Sequence, residues 1–524
     1  MASLNKAHTQ ISEIVVGKDI LELLSSSMYV DPLTIFREYI QNAADAIDEA
    51  VTVGHLAGRD DGRIEISLDH ITRRVRIRDN GIGVSEHDFA RLLTSFGASH
   101  KRGTESRGFR GVGRLAGLGY CQELIFRSRA SMEAPVLELA WDCKQLKKLL
   151  TDSSYEGGLA DIVRDVTTLK MVDEPDAPDS FFDVELLRPR RIGKDILLNE
   201  SVIRAYLAQV APVPFSSGFT FKDEIQSIFD QLDFELPVYT IVINDEEPIC
   251  RPFSDSIEYS ELKRGHLQDV EPVTVFAQED DRGSKRKVAA IGWIAHHDYQ
   301  GAIPTAAGIK GLRARVGNIQ IGEDRLFLDV FPEERFNSWT VGELHIIDRR
   351  ISPNGRRDAF DHSPQLKNLH SQLVPVGAKI ARYCRSSSQV RNRLKQFDMG
   401  SQKVEETFDI IEQGAIPKRR QQELKREIGA KLQELKRAAD FDLLQGRLRE
   451  SLAERISELE GKFEKLTDRA IAESPIDALP RHKQSVYKEV FDLIYECSQN
   501  HTVARILIDK MLARLKTVGE AKEY

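Results

Sequence analysis

The sequence is poor in cysteine and lacks long apolar runs, and both features restrict the class of protein. Its 524 residues include five cysteines, which lie far apart at positions 121, 143, 250, 384 and 497. None forms a CxxC pair, so neither a disulfide framework nor a zinc finger is supported. No stretch approaches the roughly 18 apolar residues that span a bilayer, and the first twenty residues do not resemble a secretory signal. We therefore expect reduced cysteines, a cytoplasmic location and no membrane partner.

An excess of one charge is also missing. The chain has 74 Lys and Arg residues against 82 Asp and Glu residues, a formal net charge of -8. This balance disfavours a uniformly basic nucleic-acid-binding protein but is compatible with a local basic groove. The length predicts about three domains. Changes in composition place their boundaries at residues 1–230, 231–395 and 396–524, with strand-like runs in the second part and charged helices in the third.

The first informative segment is a predicted helix that begins after Asp31. On this helix Glu38, Asn42, Asp45 and Glu49 recur at intervals of four, three and four residues, so they share one face. Apolar residues occupy much of the remaining surface. A polar stripe inside an apolar surround is the reverse of an ordinary solvated helix. Taken alone, it is still best interpreted as the exposed side of an amphipathic helix.

The second segment is a predicted hairpin, because apolar and polar residues alternate over 64–68 and again over 75–77. Its second strand ends at Asp79, followed by Asn80, Gly81, Ile82 and Gly83. A carboxylate at a strand end can accept a hydrogen bond from an exocyclic amine, and the glycines allow a flat base to approach the backbone. The alternative is a plain Asp-Asn-Gly turn.

The third segment, residues 108–117, is rich in glycine. Glycines near a helix start expose backbone N–H groups that can hold phosphates. The order G-x-G-x-x-G is absent, no strand precedes the segment, and the chain has no G-x-x-x-x-G-K-[ST] motif. A nucleotide that bound here would therefore need another architecture.

In this order and spacing the three segments resemble the GHKL ATPases, which include gyrase, heat-shock-90 chaperones, histidine kinases and MutL-type proteins. Within that superfamily the chain resembles the heat-shock-90 (HtpG-like) branch. REYIQNAADA at 37–46 is similar to that branch's RELISNASDA, FGASHKRGT at 96–104 to its LGTIAKSGT, and GFRGVG at 108–113 to its GQFGVG. ISPNGRRD at 351–358 is similar to its middle-domain LPLNISRE. The resemblance covers about residues 10–395 and is strong to about residue 130.

The resemblance implies an α+β fold with three parts. An N-terminal GHKL (Bergerat) α/β sandwich would occupy 1–230, an α/β transducer-like middle domain 231–395, and a helical C-terminal region, which could dimerise, 396–524. It also implies ATP and Mg²⁺ as ligands. Glu38 would orient or deprotonate the attacking water, Arg37 would hold Glu38, and Asn42 would give an oxygen to Mg²⁺.

The remaining site residues also follow from the resemblance. Asp79 would accept a hydrogen bond from the adenine amine, and Gly83 would allow the base to approach. Arg357, or Arg356 beside it, would reach the γ-phosphate. The other residues that the resemblance assigns to the nucleotide are Asp45, Lys101, Gly108, Gly111, Val112 and Gly113. The strand expected near 181–186 offers no threonine, so a second adenine contact stays unassigned.

Two segments keep alternative interpretations. Apolar stripes over 424–439 and 452–466 indicate either a helix pair packed on itself or a dimer seam, because the second stripe keeps heptad spacing for only two heptads. The basic residues of 188–194 are better interpreted as a solvated loop than as a nucleic-acid contact.

Two functions compete. The first is an ATP-driven homodimeric clamp, a chaperone-type ATPase that acts on protein clients, which the net charge and the Arg-Glu pair at 37–38 favour. The second is a GHKL clamp that acts on DNA in repair or defence, in the manner of gyrase, MutL or MORC proteins. A histidine kinase is disfavoured, because such kinases lack a water-activating glutamate at the position of Glu38. A scaffold without turnover would have no use for that glutamate.

Overall fold

The computed structural model describes residues 31–95, 113–155, 157–278, 287–444, 446–468 and 474–520. The chain divides into two compact units, residues 1–382 and 383–524. The first contains sheets and helices, and the described part of the second is helical. The α+β class is therefore confirmed, whereas the domain boundaries after residues 230 and 395 stay predictions.

Within the described residues, seven strands of the first unit form one sheet in the order β5-β4-β3-β6-β2-β1-β7. Neighbouring strands are antiparallel except β1 and β7, which are parallel. Their bounds are β1 Arg63–Asp69, β2 Arg74–Asp79, β3 Glu123–Arg129, β4 Val136–Asp142, β5 Thr167–Val172, β6 Phe181–Leu187 and β7 Thr240–Ile243.

The described helices of this part are α1 Thr34–Thr52, α2 Glu86–Thr94, α3 Cys143–Thr151, α4 Leu159–Val166, α5 Glu200–Val210 and α6 Lys222–Asp230. The core beside the sheet forms where α1 buries Phe36 and Ile40 in one cluster with Val75 and Phe126 of the strands. Fully burying a side chain of this size contributes about 1.5–3 kcal/mol. This apolar face fixes the direction in which the opposite, polar stripe of α1 points.

The predicted hairpin is confirmed, and its register determines the position of Asp79. Ile66 pairs with Ile77, and Ile64 pairs with Asp79. Because side chains alternate along a strand, Asp79 shares a face with Ile77. That face is buried in the core, so the carboxyl group at the strand end also lies inside the protein.

Helix α1 begins at Thr34, whereas the sequence predicted a helix that begins directly after Asp31. Asp31 still caps the preceding turn, because the backbone N–H of Leu33 donates to Asp31 Oδ1 at 3.0 Å. The strand at 240–243 also differs from the prediction, which placed this run among the strands of the second part. It lies at the edge of the first sheet, where Ile64 pairs with Ile241 and Ile66 with Ile243.

A second sheet contains six strands of the described chain in the order β12-β11-β13-β10-β9-β8, with β11 and β13 parallel. The strands are β8 Ser256–Ser260, β9 Lys263–Phe276, β10 Val288–His297, β11 Gly311–Val316, β12 Ile319–Ile321 and β13 Val341–Ile346. A buried ion cluster joins this sheet to the end of α5. Glu343 accepts hydrogen bonds from Arg251 and Arg315, and Arg315 also donates to the carbonyl of Gln209 at 2.6 Å.

The described helices that end the chain are α7 Pro364–Glu412, α8 Lys418–Ala439, α9 Gly446–Asp468, α10 Arg481–Cys497 and α11 His501–Glu520. The two predicted apolar stripes lie on α8 and α9. Leu424, Ile428, Leu432, Leu452 and Leu459 are buried in one cluster of the second unit. The stripes therefore pack within the chain, as the first of the two interpretations expected. Among the described residues, no helix is both long and apolar enough to cross a membrane.

Candidate functional site

The polar stripe of α1 is largely enclosed. Glu38 and Asp45 are buried, Asn42 is half-buried, and Glu49, at the far end, is exposed. An ordinary amphipathic helix would turn all four side chains to solvent. Carboxylates are seldom buried unless they have partners or bind a ligand. Glu38, Asn42 and Asp45 thus form a polar surface inside the protein. For these three residues, the interpretation as the exposed side of an amphipathic helix is wrong.

Three groups surround the carboxylate of Glu38. Arg37 Nη2 lies 3.5 Å from Glu38 Oε1, and Arg357 Nε lies 3.5 Å from the same oxygen. Gly113 faces the other oxygen so closely that an added Cβ would lie 2.4 Å from Glu38 Oε2. The carboxylate is therefore held between two cations and a backbone that only glycine permits at this distance.

Arg357 reaches Glu38 from a turn in an unusual conformation. Its φ angle of 57° is in the left-handed region, and its backbone N–H donates to the carbonyl of Asn354 at 3.1 Å. The carbonyl of Arg356 accepts a hydrogen bond from Arg37 Nη2 at 3.0 Å, while the Arg356 side chain is exposed. The backbone carbonyl of Arg356 thus holds Arg37, and the side chain of Arg357 contacts Glu38. The structure brings Arg357, and not the Arg356 side chain, to the site.

Helix α1 also fixes the segment that follows the glycine-rich loop. The short 3-10 helix Gly113–Gly119 packs on α1, and the N–H of Gly117 donates to the Tyr39 hydroxyl at 2.8 Å. A Cβ at Gly117 would lie 2.6 Å from that hydroxyl oxygen. Tyr39 was not among the predicted site residues, and no local motif indicates this contact.

Asp79 is buried at the end of β2. Burial raises the pKa of its carboxyl group to about 8, although the N–H of Gly81, which donates to Oδ1 at 3.0 Å, acts in the opposite direction. Asp183 also raises the pKa through its charge. A buried carboxyl with one backbone donor retains further capacity to form hydrogen bonds. The Asp79 carboxyl group is therefore suited to form hydrogen bonds with the polar edge of a bound ligand.

The two glycines after Asp79 let the turn approach its neighbours. A Cβ at Gly81 would lie 2.7 Å from atoms of Ala46 on α1. Gly83 has a φ angle of 66°, and a Cβ there would lie 2.1 Å from the carbonyl oxygen of Arg129. Any other residue at position 83 would clash with β3. The interpretation of this segment as an ordinary exposed turn is therefore incomplete, because both glycines are required by close packing.

Two serines connect this turn to β3 and β6. The buried Ser128 hydroxyl accepts from the N–H of Val84 at 2.8 Å and donates to the carbonyl of Phe181 at 2.9 Å. The Ser180 hydroxyl donates to the carbonyl of Gly81. The sequence predicted no role for either serine, since neither belongs to a recognisable motif. They place hydroxyl groups next to the Asp79 turn, with Ser128 on β3 and Ser180 directly before β6, the strand that lacks a threonine.

The predicted site residues Lys101, Gly108, Gly111 and Val112 lie outside the described residues. Of the glycines predicted to contact the nucleotide phosphates, Gly113 is described, and it lies against Glu38. The described residues bring together Glu38, Arg37, Gly113 and Arg357, and they align Asn42 and Asp45 on the same helix face.

Residues 33–158 match the family model described as "Histidine kinase-, DNA gyrase B-, and HSP90-like ATPase". This range contains α1, the Asp79 turn and Gly113. The chain contains a GHKL ATPase domain. The resemblance inferred from the motifs is confirmed at this level.

The chain also has distant, partial similarity to curated chaperones. It is 38% identical over 91 residues to "Chaperone protein HtpG" of Methylorubrum populi, which covers 17% of this chain and 14% of the relative. It is 33% identical over 111 residues to the protein of that name from Rhizobium meliloti, or 20% and 17% of the two chains. With the Nitrosospira multiformis protein of that name the identity is 27% over 221 residues, which is 39% of this chain and 32% of the relative. The matches thus span at most about a third of these relatives.

A GHKL ATPase domain implies ATP, typically with Mg²⁺, as its ligand, and the donors present fit this expectation. Asn42 is half-buried, and its side-chain amide forms no hydrogen bond within the described part of the chain. The described residues contain no cluster of three or more His, Cys, Asp or Glu side chains that could hold a metal. One protein oxygen, with water and phosphate oxygens completing the shell, is a usual environment for Mg²⁺.

The basic residues at 188–194 lie apart from this set. Arg188, Arg190, Arg191 and Lys194 are exposed. Arg190 Nη1 donates to the carbonyl of Gly119 at 3.1 Å, which attaches this loop to the end of the 3-10 helix.

Proposed function

We propose that the GHKL domain binds and hydrolyses ATP, with Glu38 as the group that orients the attacking water. The observation that carries this proposal is the position of the Glu38 carboxylate, between Gly113 and Arg357 and one helical turn from Asn42. Phosphoryl transfer requires a water-positioning group, a cation near the γ-phosphate and a bound metal ion. This arrangement supplies candidates for the first two and an oxygen ligand for the third.

Each neighbour has a distinct role in this proposal. Arg37 positions Glu38 and is itself held by the carbonyl of Arg356. Asn42 gives an oxygen to Mg²⁺, which when bound neutralises charge on the phosphates. Asp79 accepts a hydrogen bond from the adenine amine, and Gly83 keeps the backbone near the base. Lys101 and the loop 108–113 contact the phosphates as a lid, as the family resemblance implies.

Arg357 is the proposed contact to the γ-phosphate. Its guanidinium lies against Glu38, whereas the Arg356 side chain is exposed. A cavity of about 690 Å³ borders both Arg37 and Arg357, so the Arg357 side chain has room to turn. An arginine placed at a transferring phosphoryl group stabilises the charge that develops on it. Movement of Arg357 from Glu38 to the phosphate would free the carboxylate to act on water.

At the level of the whole chain, we propose a chaperone-type clamp that acts on protein clients. The partial similarity to HtpG chaperones supports this class. A second support is a set of six apolar side chains on α10 and α11, each 40% to 60% exposed: Val486, Val490, Leu493, Val503, Ile506 and Leu507. Their spacing puts three on one face of each helix. Exposed apolar faces of this kind mark interaction surfaces, and we assign these two helix faces to a homodimer.

A basic groove in the second unit favours a second candidate, a clamp that acts on DNA. This groove, of about 560 Å³, is bordered by Arg393, Lys403, Lys431 and Arg437, and Glu434 is the acidic residue among its described lining residues. The guanidinium of Arg393 lies 5.3 Å from the centre of the Phe441 ring. Cations that converge on a groove beside an aromatic ring suit a nucleic-acid backbone.

Steady-state ATPase activity tests both proposals. The full chain is compared with Glu38→Ala, alone, with duplex DNA and with a denatured model protein. Turnover that requires Glu38 supports the ATPase, and stimulation by denatured protein, or suppression of its aggregation, supports the chaperone. Stimulation by DNA that is lost in Arg393→Glu would instead support the nucleic-acid clamp. Turnover that survives Glu38→Ala would contradict the assignment of the site.

A further inference from the structure

A second cavity borders the end of the 3-10 helix Gly113–Gly119, at Leu118 and Gly119, whereas Gly113 at its start faces Glu38. It has a volume of about 330 Å³ and is lined by residues of that helix, the segment just before β3, α3 and the loop after β6. This volume lies at the lower end of the range for small-molecule pockets, about 300–1,000 Å³. None of the residues assigned to ATP lines it, so the cavity is separate from the proposed nucleotide site.

The interior of this cavity is apolar. Leu118, Leu146 and Leu150 contribute to its wall together with two buried thiols, those of Cys121 and Cys143. The two sulfur atoms lie 3.8 Å apart. Burial raises the pKa of the Cys121 thiol, so it stays protonated at neutral pH and behaves as a small apolar group. The wall therefore offers a surface for a hydrocarbon chain.

The mouth of this cavity is positively charged. Lys144 and Lys147 lie one turn apart on α3, and Arg190 approaches from the loop after β6. All three are exposed, and within the described residues none forms an ion pair. No aspartate or glutamate is among the described residues that line the cavity. Because nothing in this set neutralises the three cations, the mouth favours an anionic group.

We propose that this cavity is a binding site for a medium-chain carboxylate. The hydrocarbon chain would lie on the leucine and thiol wall, and the carboxylate would lie between Lys144, Lys147 and Arg190. Apolar contact provides affinity, while the paired charge at the mouth selects the head group. The volume limits the ligand to one short chain and excludes a diacyl lipid. The proposal does not depend on ATP hydrolysis.

Isothermal titration of the full chain with decanoate tests this site. We expect one molecule bound per chain, at least tenfold weaker binding of 1-decanol and no binding of decyltrimethylammonium. The variant Lys144→Glu/Lys147→Glu should lose at least tenfold in affinity for decanoate. The variant Lys148→Glu is a matched control, because Lys148 is exposed on the same helix but does not line the cavity.

Alkylation of cysteine provides an independent measurement. Bound decanoate should slow the reaction of Cys121 and Cys143 with N-ethylmaleimide at least threefold, as mapped by mass spectrometry. The exposed Cys497 should react at an unchanged rate. The proposal would be overturned if decanoate did not bind or if all three head groups bound with equal affinity. It would also be overturned if both lysine variants lost affinity equally, or if Cys497 were protected to the same extent as Cys121 and Cys143.

Discussion

Arg357 Nε lies 3.5 Å from Glu38 Oε1, so a side chain from a distant part of the chain is paired with the proposed water-positioning carboxylate. If Arg357 moves to the γ-phosphate during turnover, the Glu38 carboxylate becomes free to contact the attacking water. In the proposed mechanism the same contact would restrain the site before the nucleotide binds and would be exchanged for a contact to the phosphate afterwards.

We predict that Glu38→Ala retains ATP binding and loses hydrolysis by about 10²–10⁴-fold, the usual contribution of a general base. Titration with ATP and a phosphate-release assay measure the two properties. Glu49→Ala is the matched control, because Glu49 lies on the same stripe but is exposed. Equal losses in the two variants would show that position 38 has no special role.

We predict that Arg357→Ala lowers turnover by about 10²–10³-fold, as the loss of one charge-stabilising donor commonly does. Arg356→Ala should change it by less than about threefold, because the contribution of Arg356 is its backbone carbonyl, which the substitution preserves. The rate at saturating ATP is the relevant measurement. A larger loss of turnover in Arg356→Ala than in Arg357→Ala would assign the γ-phosphate contact to Arg356.

We predict that Gly113→Ala abolishes turnover while the protein stays folded, because the new Cβ would lie 2.4 Å from Glu38 Oε2 and displace the carboxylate. Gly429→Ala on α8 is the control, since a Cβ there meets no atom within 4 Å. It should raise stability by up to about 1 kcal/mol, as Gly→Ala does inside helices. A Gly113→Ala protein with normal turnover would place Glu38 outside the reaction.

The raised pKa of Asp79 predicts a pH dependence of stability. Between the ordinary value of 3.8 and the native value of about 8, the native state holds a proton that the unfolded state has released. Stability from this group is therefore complete below about pH 4 and decreases as the pH rises to about 8. Asp79→Asn lacks this titration, so its stability relative to the original chain should increase over that range.

Urea unfolding at intervals from pH 5 to pH 8 measures this effect, and each pKa unit corresponds to about 1.4 kcal/mol. A constant difference between the two proteins would contradict the assignment of the raised pKa. Asp79→Asn should also lose ATP binding, because the proposed ATP complex requires an ionised Asp79. With Oδ1 occupied by the N–H of Gly81, the amide would turn its NH₂ donor, instead of a carboxylate oxygen, toward the adenine amine. Normal ATP affinity in this variant would remove Asp79 from the proposed site.

The ion cluster of the second sheet predicts a large loss of stability in Glu343→Gln. Burial alone would raise the pKa of Glu343, but the guanidinium groups of Arg251 and Arg315 hold it far below its usual range. The amide would leave two buried cations without a counter-charge, at a cost of about 3–5 kcal/mol.

The free energy of unfolding in urea measures this change. Glu258→Gln is the control, because its partner Arg264 lies 2.7 Å away and both side chains are mostly exposed. Exposed pairs contribute about 1 kcal/mol or less. Similar losses in the two variants would contradict the importance of burial.

The parts of the site that the sequence predicted are those with local spacing. Glu38 and Asn42 are one helical turn apart, and Asp79 ends a strand whose alternation is visible in the sequence. These features depend on helical and strand periodicity, which a single sequence contains. The role of each residue in ATP chemistry stays a prediction.

The parts that the sequence did not predict depend on pairing between distant segments. Tyr39 contacts Gly117, and Ser128 joins Val84 to Phe181, through single hydrogen bonds that leave no periodic signal. The partners of the stripes on α8 and α9 were equally undetermined, because periodicity shows which face is apolar but not what covers it.

The parallel pairing of β1 with β7 has a consequence for synthesis of the chain. Arg63 pairs with Thr240, so the first sheet lacks an edge strand until the ribosome has released the chain beyond β7. Until then β1 exposes unpaired backbone groups, which favour association with other nascent chains. A chain terminated at residue 230 would keep that open edge permanently. Release of β7 therefore marks the earliest stage at which the N-terminal sheet can complete folding and avoid aggregation.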